Sequence, residues 1–257
     1  MWPAGAKRGF PMKIMTSSAV ALILSAGLAG CAHAAQTQID LSSLTNSNMQ
    51  TYTNGTNYPL AGSTVNITGA SGPVSFTLSS EGGDADTTGA ILATLPTDSF
   101  VIPINEAGYS IVYMLVNSGF GEINSTVGSL VFQDSAGHSD TISLEEGVNI
   151  RDHYISFNNV ATEVYGTAQY PGDVKLDAYE YFLPASFASN TLTSITLNGA
   201  PDTGVPDGEP FIAGITLATG GVAPAPEPST WAMMIAGFAG LGWLVHSRRR
   251  AIRSAAA

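Results

Sequence analysis

Twenty carboxylates, four histidines and a single cysteine set the terms for any chemistry this 257-residue chain can do. Paired Asp or Glu residues do acid–base work on glycosidic bonds when held roughly 5 to 9.5 Å apart. Acids occur throughout the sequence, but no surrounding motif singles out a pair, and scattered over a surface they simply solvate it. His138 lies in a polar stretch and His153 follows Arg151-Asp152, so neither belongs to a metal-binding histidine spacing. The one cysteine, Cys31, stands near the N-terminus, which leaves the rest of the chain without a thiolate ligand for zinc. No Gly-x-Ser-x-Gly nucleophile elbow occurs. Glu81-Gly-Gly-Asp84-Ala-Asp86-Thr-Thr-Gly89 offers carboxylate and carbonyl oxygens of the kind calcium takes, with Asp84 and Asp86 as candidate ligands. The stretch lacks the distal glutamate of an EF-hand, and an ordinary flexible acidic loop is the competing reading. The expectation is a chain with no catalytic residue, no metal centre beyond that calcium candidate and no cofactor.

Binding chemistry is better represented. Tyr52, Tyr58, Tyr109 and Tyr170 fall in or beside expected loops, and tyrosine offers a sugar both an aromatic face and a hydroxyl. The competing reading packs them at strand edges. Arg151 stands beside Asp152 and is one of only two cations between Gln36 and Gly221, where nineteen of the carboxylates lie. That setting points to a structural ion pair or a backbone clamp rather than a ligand contact. Such an acidic field repels polyanions and excludes nucleic acid as a partner.

The remaining basic residues cluster at the two ends, where the sequence reads as targeting rather than fold. Lys13 precedes an uncharged run from Thr16 to Gly30 that contains Ala19-Val-Ala-Leu-Ile-Leu24. A basic start, a short apolar stretch and small residues describe a secretory signal, and the run is short of the about 20 residues a spanning helix needs. The signal reads naturally from Met12. Ala32-His33-Ala34 before Ala35 fits signal peptidase, with the cut between Ala34 and Ala35. Leu28-Ala29-Gly30-Cys31 resembles a bacterial lipobox and would leave Cys31 lipidated. Both readings stand. Either one requires the Sec translocase.

At the other end, Pro224, Pro226 and Pro228 make an extended linker that cannot continue a helix or strand. Trp231 to Val245 follows without a charge, then Arg248, Arg249 and Arg250. Arginines after an apolar stretch resist translocation and stay cytoplasmic. As a helix, those apolar residues cover only about 22 Å of a hydrocarbon core near 30 Å, which suits transient holding in the inner membrane. Pro226-Glu227-Pro228, then Ser229-Thr230-Trp231-Ala232, the Gly-Phe-Ala-Gly-Leu-Gly stretch and the arginine cluster together resemble the PEP-CTERM sorting signal in its PEPxxWA form. The resemblance implies a Gram-negative bacterium, cleavage by the membrane enzyme exosortase near Pro226-Glu227-Pro228, and delivery to the cell surface or extracellular matrix. A GPI signal lacks the terminal arginines. A plain C-terminal anchor without processing is the other alternative.

Between these ends, residues 35–221 carry short alternating runs separated by turn residues: Thr64–Ile67, Val74–Leu78, Val101–Ile104, Ser110–Val116, Ser129–Phe132, Thr141–Leu144, Leu176–Phe182, Thr193–Leu197 and Phe211–Leu217. Without an apolar stripe of helical period, they predict an all-β domain, a sandwich or jelly roll. Asp134-Ser-Ala-Gly-His138 supplies a hairpin loop in which Gly137 takes positive φ. Glu146-Gly-Val-Asn-Ile-Arg-Asp-His-Tyr154 follows that hairpin, and together with Val112–Val116, Gly119-Phe-Gly121 and Phe211–Leu217 it resembles galactose-binding-like sandwiches of the carbohydrate-binding-module type. That resemblance implies contact with a glycan such as exopolysaccharide. A structural or adhesive matrix role and a secreted glycan-active enzyme are the alternatives.

Overall fold

The computed structural model describes residues 35–52, 57–81, 84–200 and 208–220. These are all-β. Their strands are β1 (Gln36–Ile39), β2 (Ser47–Asn48), β3 (Thr64–Gly69), β4 (Gly72–Thr77), β5 (Ser80–Glu81), β6 (Asp84–Leu92), β7 (Ser99–Ala107), β8 (Ile111–Asn117), β9 (Thr126–Asp134), β10 (Ser139–Glu145), β11 (Gly166–Tyr170), β12 (Val174–Phe182), β13 (Thr191–Gly199) and β14 (Phe211–Ala218). Among the described residues the α-helical content is one turn, α1 (Met49–Tyr52). Among the described residues no helix is long and apolar enough to cross a membrane. The expected signal and C-terminal apolar helices lie outside the described residues.

The largest sheet runs β11-β12-β8-β14-β6-β2, with β1 also paired to β14 and β5 to β6. A second sheet runs β10-β9-β13-β7, and β3 and β4 form a separate hairpin. One hydrophobic core lies between the two larger sheets, joining Val112, Met114 and Val116 of β8 to Leu130 and Phe132 of β9 and to Ile195 and Leu197 of β13. The intervening residues of β8, Ile111, Tyr113 and Leu115, enter a second core with Val65, Ile67, Val74 and Phe76 of the β3–β4 hairpin.

The large sheet is therefore covered on both faces, and this explains why β8 and β14 read as nearly continuous apolar runs. Every residue of both strands is buried. Burying one Leu, Ile or Phe side chain fully contributes about 1.5–3 kcal/mol, so both cores hold the fold. Gly214 allows a close approach of the layers: a Cβ there would meet Phe76 at 3.3 Å.

The β9–β10 hairpin forms as the sequence predicts, with Ser139 opposite Gln133 and Gly137 at φ 86°. The Asp134 carboxylate accepts the amides of Ala136 and His138 at 2.9 and 2.8 Å and closes the turn. The acidic stretch after Glu81 differs from its reading as a flexible loop. Asp84 and Asp86 lie on β6, and β5 pairs back onto that strand with Glu81 opposite Asp84 and Ser80 opposite Thr88. The extended preference of Thr87-Thr88 and the apolar Ala90-Ile91-Leu92 draw the segment into the sheet.

Candidate functional site

Two places in the domain gather polar groups. The first is a buried network at one end of the core between the sheets, where β8 and β12 lie side by side with Ala178 opposite Leu115. Arg151 approaches from the β10–β11 connection and grips Asp177 of β12 with both arms, Nε donating to Oδ2 at 2.7 Å and Nη2 to Oδ1 at 2.8 Å. Thr167 Oγ1 donates to the same Oδ1 at 2.6 Å, and Asn117 Nδ2 donates to Oδ2 at 2.8 Å. The expected structural ion pair exists, but its acid is Asp177 and not the adjacent Asp152. The two residues are 26 positions apart, so only strand pairing brings them together. The bond to Asp177 is the main influence holding the Arg151 guanidinium above its ordinary pKa.

Asp152 does the clamping instead. Its carboxylate accepts the amide of Phe120 at 3.0 Å and that of Tyr154 at 2.7 Å. It thereby fixes Phe120 in the left-handed region at φ 63°, a conformation that is strained for a bulky residue. Beside it Glu146 is fully buried, accepting a 2.6 Å bond from Ser118 Oγ at Oε2. Burial pushes the Glu146 carboxyl up to about 7 against the pull of the Ser118 hydroxyl. Burial likewise raises Asp152 and, with the charge of Lys175, lowers His153 to about 4. His153 Nδ1 meets the Tyr58 hydroxyl at 2.9 Å. Lys175, buried on β12, donates to Asn159 Oδ1 at 2.7 Å and to the carbonyl of Tyr154 at 3.3 Å.

The second place is a cleft of about 500 Å³ beside β1 and the end of β4. Gln38, Asp40, Ser42, Thr77 and Ser80 line it together with the apolar Ile39 and Leu78. Asp40 is held as a carboxylate by hydrogen bonds from Ser42, whose amide donates at 2.9 Å. Thr77 Oγ1 donates to Gln38 Oε1. The cleft surface is mostly apolar, and the amide, hydroxyl and carboxylate groups set in it can exchange hydrogen bonds with a polyhydroxylated ligand.

The tyrosines singled out from the sequence do not form a common platform. Tyr58 is buried and stacks on His153. Tyr170 packs edge-on against Tyr58 at 6.0 Å. Tyr109 shares a 2.5 Å hydrogen bond with Thr37, and Tyr52 lies in α1. Of the processing residues, Cys31, Ala34, Pro226, Glu227, Pro228, Arg248, Arg249 and Arg250 lie outside the described residues. Ala35 is the first described residue, and its carbonyl accepts the Thr219 amide at 3.1 Å. With Gln36 opposite Ala218, the two ends of the domain leave the sheet side by side. No group of three or more His, Cys, Asp or Glu residues suited to a metal is present among the described residues.

Comparison with known proteins addresses the tail. Residues 224–250 match the family model described as the PEP-CTERM protein-sorting motif. The chain carries a PEP-CTERM sorting motif. That motif is the substrate signal of exosortase and implies export and sorting to the cell surface. Among solved structures, one titled "Structural and functional characterization of Pseudomonas aeruginosa AlgX" is similar over 50% of this chain and 26% of that one, at 14% identity and a TM-score of 0.27. The likeness thus spans about a quarter of that chain's length. No curated protein matches this sequence.

The sequence reading missed Asp177, Lys175, Glu146 and the cleft. A signal for the first two was present: in Val174-Lys-Leu-Asp-Ala178 opposite charges alternate with apolar residues, which places both on one face of a strand.

Proposed function

We propose that this chain is an exported, exosortase-processed protein of the cell surface or exopolysaccharide matrix, whose domain is a jelly-roll-like, galactose-binding-like sandwich that contacts glycan without catalysing a reaction. The observation that carries this reading is the PEP-CTERM motif at residues 224–250, following directly on the edge of an all-β domain. Export begins at the Sec translocase and signal peptidase. The apolar segment and arginines of the tail hold the chain in the inner membrane until exosortase acts near Pro226-Glu227-Pro228.

The cleft that presents Gln38, Asp40 and Ser42 supports glycan contact better than an aromatic platform does, since Tyr58 and Tyr170 pack inside. A glycan array probed with the secreted protein tests this part, and the expected result is binding that is lost on Asp40→Ala with Gln38→Ala. Absence of binding to every glycan favours a structural or adhesive matrix role. The exposed Phe120, Ile123, Phe157 and Val160 are the observation that supports that second reading.

A further inference from the structure

Lys175 is a buried basic residue whose direct hydrogen-bond partners are neutral. It has no exposed surface, and its Nζ has two neutral partners, Asn159 Oδ1 at 2.7 Å and the carbonyl of Tyr154 at 3.3 Å. Among the described residues the ion pairs are Arg151 with Asp177 and His138 with Asp134, so no carboxylate lies within ion-pair distance of Lys175. A buried ammonium without a counter-ion is costly, and the group responds by giving up its proton. Burial does lower the Lys175 pKa, with Asp177, Asp152 and Glu146 opposing the shift. The result is an amine that burial makes readier to give up its proton, held against a primary carboxamide.

We propose that Lys175 and Asn159 join in an intramolecular isopeptide bond formed by the folded domain itself. Lys175 Nζ attacks Asn159 Cγ, the Cγ–Nδ2 bond breaks, and Nδ2 leaves as ammonia after taking up a proton given up by Nζ. One amide replaces another, so no oxidant, nucleotide or other co-reactant is required. The 2.7 Å contact holds Nζ at the carbonyl oxygen. Cγ lies one C=O bond, about 1.2 Å, beyond that oxygen, so a small shift of the Lys175 side chain brings Nζ to the near-attack separation of about 3–3.5 Å from Cγ.

The proton passes from Nζ to Nδ2 within the pair, and two buried carboxyls lie in the network around it. Lys175 Nζ donates to the carbonyl of Tyr154, whose amide is bound by Asp152 Oδ1. Ser118, which bridges to the backbone of Asp152, donates to Glu146. Glu146 Oε1 has no hydrogen-bond partner among the described residues. The bond would tie the long connection between β10 and β11 to β12 of the large sheet, and it does not depend on how the protein is sorted.

Peptide mapping of the full chain, purified and then denatured, tests this directly. Trypsin should fail to cut after Lys175, because its amine is acylated. Glu-C cleavage after Glu163 should release the peptides containing Asn159 and Lys175 still joined, lighter than their sum by one ammonia. In Asn159→Ala, Lys175 should be a normal tryptic site and the joined species should vanish. Wild-type protein with a tryptic cut after Lys175 and an intact Asn159 side chain overturns the proposal, as does a joined species that persists in Asn159→Ala. Because the wild-type digest decides alone, a variant that fails to fold leaves the answer unchanged.

Discussion

Arg151 and Asp177 meet in a two-pronged ion pair at 2.7 and 2.8 Å, and the Asp177 side chain has no exposed surface. Asp177 also receives Asn117 and Thr167, so its removal takes a buried carboxylate acceptor from three residues at once. Breaking a buried pair from one side costs about 3–5 kcal/mol, far more than an exposed pair would. Asp177→Ala should therefore lower the midpoint of urea denaturation by that equivalent. A loss under about 1 kcal/mol, typical of a surface pair, would show that the network does not hold the sheet edge.

Glu146 makes stability depend on pH in an unusual direction. Its carboxyl is raised from 4.5 to about 7 in the folded chain, so the folded state holds the proton more tightly than the unfolded one. The stabilisation from this group is full below its unfolded pKa and is lost as pH rises through about 7. Glu146→Gln keeps an acceptor for Ser118 and removes the titration. Relative to wild type, this variant should gain about 3 kcal/mol in stability between roughly pH 4 and pH 8. The opposing contribution of His153, lowered to about 4, is common to both chains and cancels in the comparison. Parallel stability curves for the two proteins would contradict the assignment.

Phe76 has no exposed surface and lies on the hairpin layer that covers the outer face of the large sheet. Thr216 Oγ1 donates to the carbonyl of Ser75 at 2.7 Å and joins the same two layers. If the hairpin is a structural layer, Phe76→Ala should cost about 3–5 kcal/mol, as for other core aromatics. Thermal and urea unfolding both measure it. A cost near that of an exposed aromatic would mean the second core contributes little.

The strong strands were readable because apolar and β-branched residues concentrate in them, as in Ile111–Val116 and Phe211–Leu217. Strands of polar composition were not. Gln36–Ile39 and Gly166–Tyr170 form edges of the large sheet with half-exposed side chains, so backbone pairing defines them more than side-chain burial does. The β3 and β4 strands were legible as Thr64–Ile67 and Val74–Leu78, but their role as a separate covering layer was not. Val65, Ile67, Val74 and Phe76 alternate with polar residues in the way any one-sided strand does, and the pattern does not say which sheet they cover. The partner of Arg151 was likewise hidden, because the neighbouring Asp152 was the visible acid while Asp177 lies on another strand. The sorting tail was the most legible part of the chain, since its order of prolines, apolar residues and arginines is contained in one short stretch.

The sorting claim is tested most directly by deleting Pro226–Pro228 in cells that carry exosortase and following the protein by fractionation and intact mass. The account predicts that the wild-type chain loses its tail and is recovered at the surface or in the matrix, whereas the deletion stays at its uncut C-terminal length in the inner membrane. Recovery of the deletion outside the cell with the same C-terminus as wild type would contradict it.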